Sequence, residues 1–261
     1  MQKTVKNEAV GAKVVLITGA GSGIGRATAL LLAGAGDRIA VADQSLSAAS
    51  ETTAMIRAAG GEAIALQADV SDEASVSDMV TSTVTAFGRL DGAFNNAGIG
   101  AGRIGAMPQK IAEMPSDIWN RIIAVNLTGV WLCMKYELAQ MQKQGLGGAI
   151  VNTASIAGLI GIPTASAYVA SKHGVLGLTK TSALEYASAN IRVNAVCPGY
   201  VQTGMTEDLT EQRLAQIVSK VPIRRLGQSS EIAEMVAWLL SDRASYVTGA
   251  GFTVDGGTTV G

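Results

Sequence analysis

The chain has 261 residues, 48% of them hydrophobic and 16% charged, with a formal net charge of -1. That apolar share supplies a sizeable core, and a near-zero net charge gives no long-range field to recruit nucleic acid or an anionic membrane, so the expected partner is a small neutral molecule. Two cysteines, Cys133 and Cys197, and a single histidine, His173, are too few for a disulfide framework or a metal cluster; no metal site is expected.

Lys3 and Lys6 precede an apolar run, Val14 to Ile17, that is far shorter than a signal-peptide core of about 7 to 15 residues. No apolar stretch approaches the ~20 residues of a membrane span, and the expected location is the cytoplasm. Seven short β-branched runs then recur between longer amphipathic segments: Val14 to Thr18, Arg38 to Ala42, Ala63 to Gln67, Gly92 to Asn95, Ala149 to Thr153, Arg192 to Val196 and Gly251 to Val254. This alternation predicts an α/β fold, a doubly wound seven-stranded parallel sheet with helices on both faces. Continuously apolar strands such as 13–17 suit a sheet covered on both sides. Without a linker or repeat to divide it, 1–261 reads as a single domain. Two stretches, about 99–119 and 203–223, break the rhythm just after strand ends, where ligands bind in open α/β sheets. They are expected to wall a substrate pocket, the second as a small helical lid.

The first strand runs into Thr18-Gly19-Ala20-Gly21-Ser22-Gly23-Ile24-Gly25 and then a helix-forming stretch, Arg26 to Ala35. Such a turn lets backbone approach a diphosphate seated at a helix N-terminus. No three glycines satisfy G-x-G-x-x-G. They satisfy TGxxxGxG with Gly19, Gly23 and Gly25, and here the sequence resembles the short-chain dehydrogenase/reductase family, which implies a Rossmann fold and a nicotinamide cofactor. Asp43 ends the second strand, where a carboxylate accepts hydrogen bonds from the adenosine ribose and repels a 2′-phosphate. The family's NADP-preferring members often carry basic residues where this chain has Ser22 and Gln44, so the expected cofactor is NAD(H).

The resemblance extends over almost the whole chain. Asp69-Val70 resembles the adenine contact, Asn95-Asn96-Ala97-Gly98 follows the fourth strand, and Pro198-Gly199-Tyr200-Val201-Gln202-Thr203 looks like the PGxxxT segment that holds the carboxamide. The implied cofactor residues are Gly19, Gly21, Ser22, Gly23, Ile24, Gly25, Asp43, Asp69, Val70, Asn96, Ala97, Gly98, Tyr168, Lys172, Pro198, Gly199, Val201 and Thr203.

Tyr168 and Lys172 lie four apart and share a helix face. A phenol with pKa near ~10 is a poor base at neutral pH, but an ammonium and a cationic nicotinamide beside it can bring that value down by about two or three. Ser155 ends a strand thirteen residues upstream of Tyr168, and Asn126 stands in Val125-Asn-Leu-Thr-Gly. The resemblance makes Asn126, Ser155, Tyr168 and Lys172 a catalytic tetrad. Tyr168 exchanges the proton, Ser155 binds the substrate oxygen, Lys172 lowers the phenol pKa and binds the nicotinamide ribose, and Asn126 positions a water. His173 with Ser155 makes no hydrolase, because no G-x-S-x-G elbow surrounds the serine.

The stretch 156–164, with Tyr200, Met205 and Leu209, gives a mainly apolar lining that Arg103 and Lys110 can reach, so an uncharged secondary alcohol or ketone, cyclic in some cases, is expected. Gly129 to Gln144 and Tyr168 to Ala187 read as long helices, the pair that family members commonly use to assemble, and a homotetramer is expected. Two alternatives stay open: an NADP-dependent 3-oxoacyl thioester reductase, which shares the tetrad, and a non-catalytic NAD-binding scaffold on the same fold.

Overall fold

A computed structural model describes residues 12–100, 102, 107–203 and 210–260. Every residue of β1 (Val14–Thr18) is buried, because helices cover both faces of the strand. Val14 and Leu16 enter one core, while Val15 and Ile17 enter the other, as the two-residue period of a strand requires.

In chain order the elements continue as α1 (Gly23–Gly34), β2 (Arg38–Asp43), α2 (Leu46–Ala58), β3 (Glu62–Gln67), α3 (Glu73–Phe87) and β4 (Gly92–Asn95). Then come α4 (Ser116–Ile123), α5 (Gly129–Gln144), β5 (Gly148–Thr153), α6 (Ser166–Tyr186) and β6 (Ile191–Pro198). Last are β7 (Val201–Gln202), α7 (Glu211–Lys220), β8 (Gly227–Gln228), α8 (Ser229–Leu240) and β9 (Gly251–Val254). The seven expected strands form one parallel sheet in the order β3-β2-β1-β4-β5-β6-β9. Strand order reverses between β1 and β4, which opens a crevice at their C-terminal ends. One core gathers residues of α3, α5 and α6 on one face; the other gathers α1, α2 and α8 on the opposite face.

Helix ends are set by local chemistry. Asp72 caps α3 by accepting from the Ser75 N–H at 2.7 Å, Gln228 and Glu231 form a capping box on α8, and Gly88 closes α3 in the left-handed region at φ 80°. The stretch 203–223 does contain a helix, α7, and in 99–119 a 3-10 turn at Ile111–Glu113 precedes α4, which starts at Ser116. Two features depart from the sequence reading. The two-residue strands β7 and β8 pair in a separate parallel ribbon; runs that short carry no period. A π turn, residues 124–128, joins α4 to α5, so one helix runs over Ser116–Gln144, with an 18-residue window of mean hydropathy 1.3, half of it buried in the fold. By length and composition that helix reaches the membrane-spanning range that the sequence was read not to contain. Its buried Leu132, Met134, Leu138 and Met141 pack in the core with β-strand residues, as expected of a core helix.

α5 also buries an acid. Glu137 is fully buried and accepts from Asn95 Nδ2 at 3.0 Å, and the same amide donates to Asn152 Oδ1 at 3.0 Å. Among the described residues, Glu137 Oε1 and Asn95 Oδ1 have no hydrogen-bond partner, a setting that favours a proton on the Glu137 carboxyl. Burial raises the Glu137 pKa to about 7, the Asn95 hydrogen bond opposing, and the neighbouring thiol of Cys133 is pushed up by the same burial. The folded chain then keeps this proton up to about pH 7, whereas the unfolded chain loses it near 4.5, so stability falls as pH rises between those values. Glu137→Gln is expected to gain stability over the parent by on the order of 3 kcal/mol on going from pH 4.5 to 8. Urea unfolding of both proteins at the two pH values checks this, and a difference that does not change with pH contradicts it.

Candidate active site

β1 ends at Thr18, and its hydroxyl accepts the N–H groups of Asn96 (3.0 Å) and Ala97 (3.1 Å) after β4. Asn96 Nδ2 donates back to Thr18 O and Gly19 O at 3.1 and 3.2 Å. This stitch fixes both loops at the mouth of the crevice. Within it, Gly19 and Gly23 take positive φ, 62° and 54°, which an L side chain disfavours. Gly25 meets a different limit: a Cβ there would stand 2.4 Å from Gly19 O and 2.7 Å from Asn96 Nδ2.

The loop opens onto a cleft of about 580 Å³. Of the residues expected to hold the cofactor, Gly19, Ser22, Gly23, Ile24, Asp43, Asp69, Val70, Asn96, Ala97, Gly98 and Thr203 line it. Gly21 and Gly25 stand behind the loop and make room by lacking side chains. Thr203 comes 3.4 Å from the Cβ position of Gly23, bringing the segment after β6 onto the phosphate loop. Pro198 and Gly199 sit at the end of β6, where the Gly199 N–H donates to Val254 O, and Val201 is buried in β7. The α1 N-terminus has Ser22 as N-cap with no side-chain bond and no acid in its first turn, so its N–H groups and positive end are open to an anion. The donor set, the bare glycine backbone and the cleft fit a dinucleotide.

Asp43 accepts from the Gly21 N–H (2.9 Å) and the Ser45 N–H (3.0 Å) at the cleft wall. Asp69 is held by Ser71 and by Gln44 Nε2 at 3.1 Å; the Ser71 hydroxyl bond leads in lowering its pKa, and Arg121 nearby adds to it. Arg121 and Val125 also line the cleft. Sequence reasoning missed both: Arg121 is on α4 and Val125 in the π turn that follows it, and neither position carries a spacing signal. Of the lining expected for substrate, Lys110 is exposed and Tyr200 half-buried, while Arg103, Met205 and Leu209 lie outside the described residues.

The four expected catalytic side chains come together beside this cleft. Gly98 and Ile99 line it, and a Cβ on Gly98 would stand 3.4 Å from Asn126 Oδ1 and 3.7 Å from Lys172 Nζ. Asn126 is fully buried in the π turn, with its amide spent on Ile99: Oδ1 accepts from Ile99 N and Nδ2 donates to Ile99 O, each at 2.8 Å. Lys172 Nζ donates to Thr153 O at 2.7 Å and lies 5.7 Å from the Tyr168 ring centroid. The Ser155 hydroxyl accepts from the Ala157 N–H at 3.1 Å and hydrogen-bonds the Tyr168 phenol. The electrostatics differ from the sequence expectation. Burial pushes the Tyr168 pKa up, with the Ser155 bond pulling it down, and burial lowers Lys172 to about 8. Desolvation is the largest cause of both shifts.

A stability consequence follows for Lys172. The folded chain releases that proton near pH 8 and the unfolded chain near 10.5, so between those values the unfolded state binds more protons and stability rises with pH. Lys172→Met removes the titration and, at all pH values, the bond to Thr153. Relative to the parent, the variant is expected to lose on the order of 3 kcal/mol between pH 8 and 10.5. Chemical unfolding at both ends of that window decides it; parallel curves would sink the assignment.

The description enoyl-(acyl carrier protein) reductase belongs to the family model that matches residues 19–259. A cyclohexanol dehydrogenase of Acinetobacter sp. (strain SE19) is 49% identical over 259 residues, 99% of this chain and 99% of that one. Among solved structures, levodione reductase matches with a TM-score of 0.89 at 41% identity, over 95% of this chain and 97% of that chain. A 3-ketoacyl-(acyl-carrier-protein) reductase from Brucella melitensis complexed with NADH gives 0.87 at 33% identity, over 96% and 99%. Likeness over nearly the full length of proteins named as dehydrogenases and reductases settles the family. The chain belongs to the short-chain dehydrogenase/reductase family, as an oxidoreductase acting on CH–OH donors with a nicotinamide cofactor.

Proposed function

We propose that residues 1–261 form one catalytic domain, an NAD(H)-dependent dehydrogenase that interconverts a neutral secondary alcohol and its ketone in the cytoplasm. The observation that carries this reading is the meeting of Ser155, Tyr168 and Lys172 beside Gly98 and Ile99, on the wall of a cleft suited to a dinucleotide. When bound, the nicotinamide accepts or delivers the hydride. The chain handles the proton. In oxidation, Tyr168 as phenolate takes the hydroxyl proton while the carbinol carbon gives up hydride and the C=O forms; in reduction, Tyr168 returns a proton to the oxygen. Ser155 hydrogen-bonds that oxygen as its charge changes. Lys172 favours the phenolate against burial and, with Tyr168, holds the nicotinamide ribose. Asn126 braces the Gly98–Ile99 wall and supports a water relay.

Asp43 supports NAD(H) over NADP(H). Its carboxylate faces the cleft, and neither Ser22 nor Gln44 offers a cation to a 2′-phosphate. For the substrate, Leu159 and Ile160 follow Ser155 and expose much of their apolar surface, and the similar Acinetobacter protein is named for cyclohexanol. An uncharged, cyclic secondary alcohol fits both observations. Turnover of NAD+ with cyclohexanol-like alcohols is expected to exceed turnover with NADP+. Tyr168→Phe is expected to lower kcat by about 1000-fold or more, within the range of general acid–base and related catalytic losses, with NADH affinity retained. Absorbance assays and NADH titrations of both proteins check this; a variant that still turns over takes the proton role from Tyr168. Binding of NADH without any turnover of alcohols or ketones favours the scaffold alternative, and NADP(H) with 3-oxoacyl thioesters the other.

α5 and α6 leave a groove of about 360 Å³ lined by Leu127, Trp131, Gly174, Gly177 and Leu178, and Trp131 is 46% exposed. We assign its occupant as the same face of a second copy, related by a twofold axis, within a homotetramer. Light scattering is expected to give four times the 26.7 kDa chain mass, and Gly177→Glu to lower it; a monomer in solution overturns the assembly.

A further inference from the structure

The phosphate loop is held from behind by a side chain that the proton chemistry does not use. Arg26 carries its charge in the first turn of α1, where the helix end is already positive and a cation is unfavourable. Its guanidinium turns back. Nη2 donates to Gly21 O at 2.5 Å and to Glu51 Oε2 at 2.9 Å, Nη1 donates to Glu51 Oε1 at 3.2 Å, and Nε donates to Thr52 Oγ1 at 3.0 Å. Thr52 is fully buried on α2 and donates its hydroxyl to Ala20 O at 2.9 Å. Two consecutive loop carbonyls are therefore tied down on the α2 side.

A trans peptide is planar, with its C=O and N–H pointing in opposite directions. Tying Ala20 O to Thr52 turns the Gly21 N–H the other way, where it meets Asp43 Oδ2 at 2.9 Å. Tying Gly21 O to Arg26 likewise turns the Ser22 N–H away from Arg26, and Ser22 lines the cleft. The ion pair with Glu51, whose side chain is 63% exposed, adds little energy by itself. Its effect is on orientation, since it holds the guanidinium fork in the plane that reaches Gly21 O.

We propose that Arg26, charge-balanced by Glu51 and seated on Thr52, is a positioning residue for cofactor binding: it fixes the 21–22 peptide, while Thr52, which it holds, fixes the 20–21 peptide whose Gly21 N–H seats Asp43. The inference rests on the reading of this cleft as the NAD(H) site.

NADH dissociation constants, measured by calorimetry alongside Tm, test it in Arg26→Met, Arg26→Lys and Thr52→Val. Loss of a charge-assisted hydrogen bond that orients the loop is expected to weaken NADH binding about 10-fold in Arg26→Met. Arg26→Lys keeps the charge but not the fork and should fall between Arg26→Met and the parent. Thr52→Val, a near-isosteric change at a buried position, should weaken binding in the same direction and keeps the test open if Arg26→Met folds poorly. A Tm shift in the variants with unchanged NADH affinity overturns the positioning role alone. Failure of the parent to bind NADH overturns the reading of the cleft and this inference with it.

Discussion

The hydrogen bonds between Thr18 and the Asn96–Ala97 backbone hold the active end of the molecule together. The strand order reverses between β1 and β4, and the chains that leave them run to opposite faces. A crevice there is unavoidable, and its rims are loops with backbone groups to satisfy. One threonine hydroxyl and one asparagine amide do so for both rims at once, with four bonds of 3.0 to 3.2 Å. The close approach also explains the bare backbone at Gly25, where any Cβ would collide with Gly19 O and with the Asn96 amide that makes the stitch. Phosphate-loop shape and the wall carrying Gly98 and Ile99 are thus two consequences of one contact.

From that wall the same logic passes to the reacting groups. Asn126 bonds Ile99 through both ends of its side-chain amide, and the π turn around it lets one continuous helix present Arg121 and Val125 to the cleft while sending Leu132 and Met134 into the core. Lys172 is bonded to the end of β5, so its ammonium is placed by the sheet rather than by its own flexible stem. Such placement is costly. Charge in this region is desolvated, which raises Tyr168 and lowers Lys172, and both shifts disfavour a phenolate–ammonium pair. On the proposed function, a cationic nicotinamide beside the phenol would act in the direction opposite to burial.

The sheet was legible because its seven strands are compact runs, β-branched in all but β4, bounded by helical periodicity, and the structure places all seven as expected. The glycine spacing and the Tyr168–Lys172 pair were legible for a related reason, since both are local patterns tied to backbone geometry. What stayed hidden is non-local or depends on burial. Nothing in the sequence links Arg26 to Gly21 O through Glu51 on another helix, or aims Arg121 at Asp69. The direction of the Tyr168 shift is set by desolvation, which neither neighbour in sequence reports. The junction of α4 with α5 went unread because a π turn has no period of its own, and so the apolar length of the joined helix was underestimated. β7 and β8 are too short to leave any pattern.

On the proposed NAD(H) reading, selectivity for the dinucleotide becomes a question of how rigidly one carboxylate is held. An aspartate free to rotate could swing away from a 2′-phosphate and discriminate weakly, because the repulsion falls with distance and with solvent between the charges. Asp43 has both oxygens engaged by backbone N–H groups, of Gly21 and of Ser45, the residue that caps α2. Its orientation is therefore fixed by the loop on one side and by a helix start on the other. On the proposed function, the peptide that grips it belongs to the loop that would receive the diphosphate, so recognition of the ribose and of the phosphates would share one piece of backbone. A change that loosens this backbone is felt at both, and that is why a side chain on the far side of the loop can matter to a ligand it never touches.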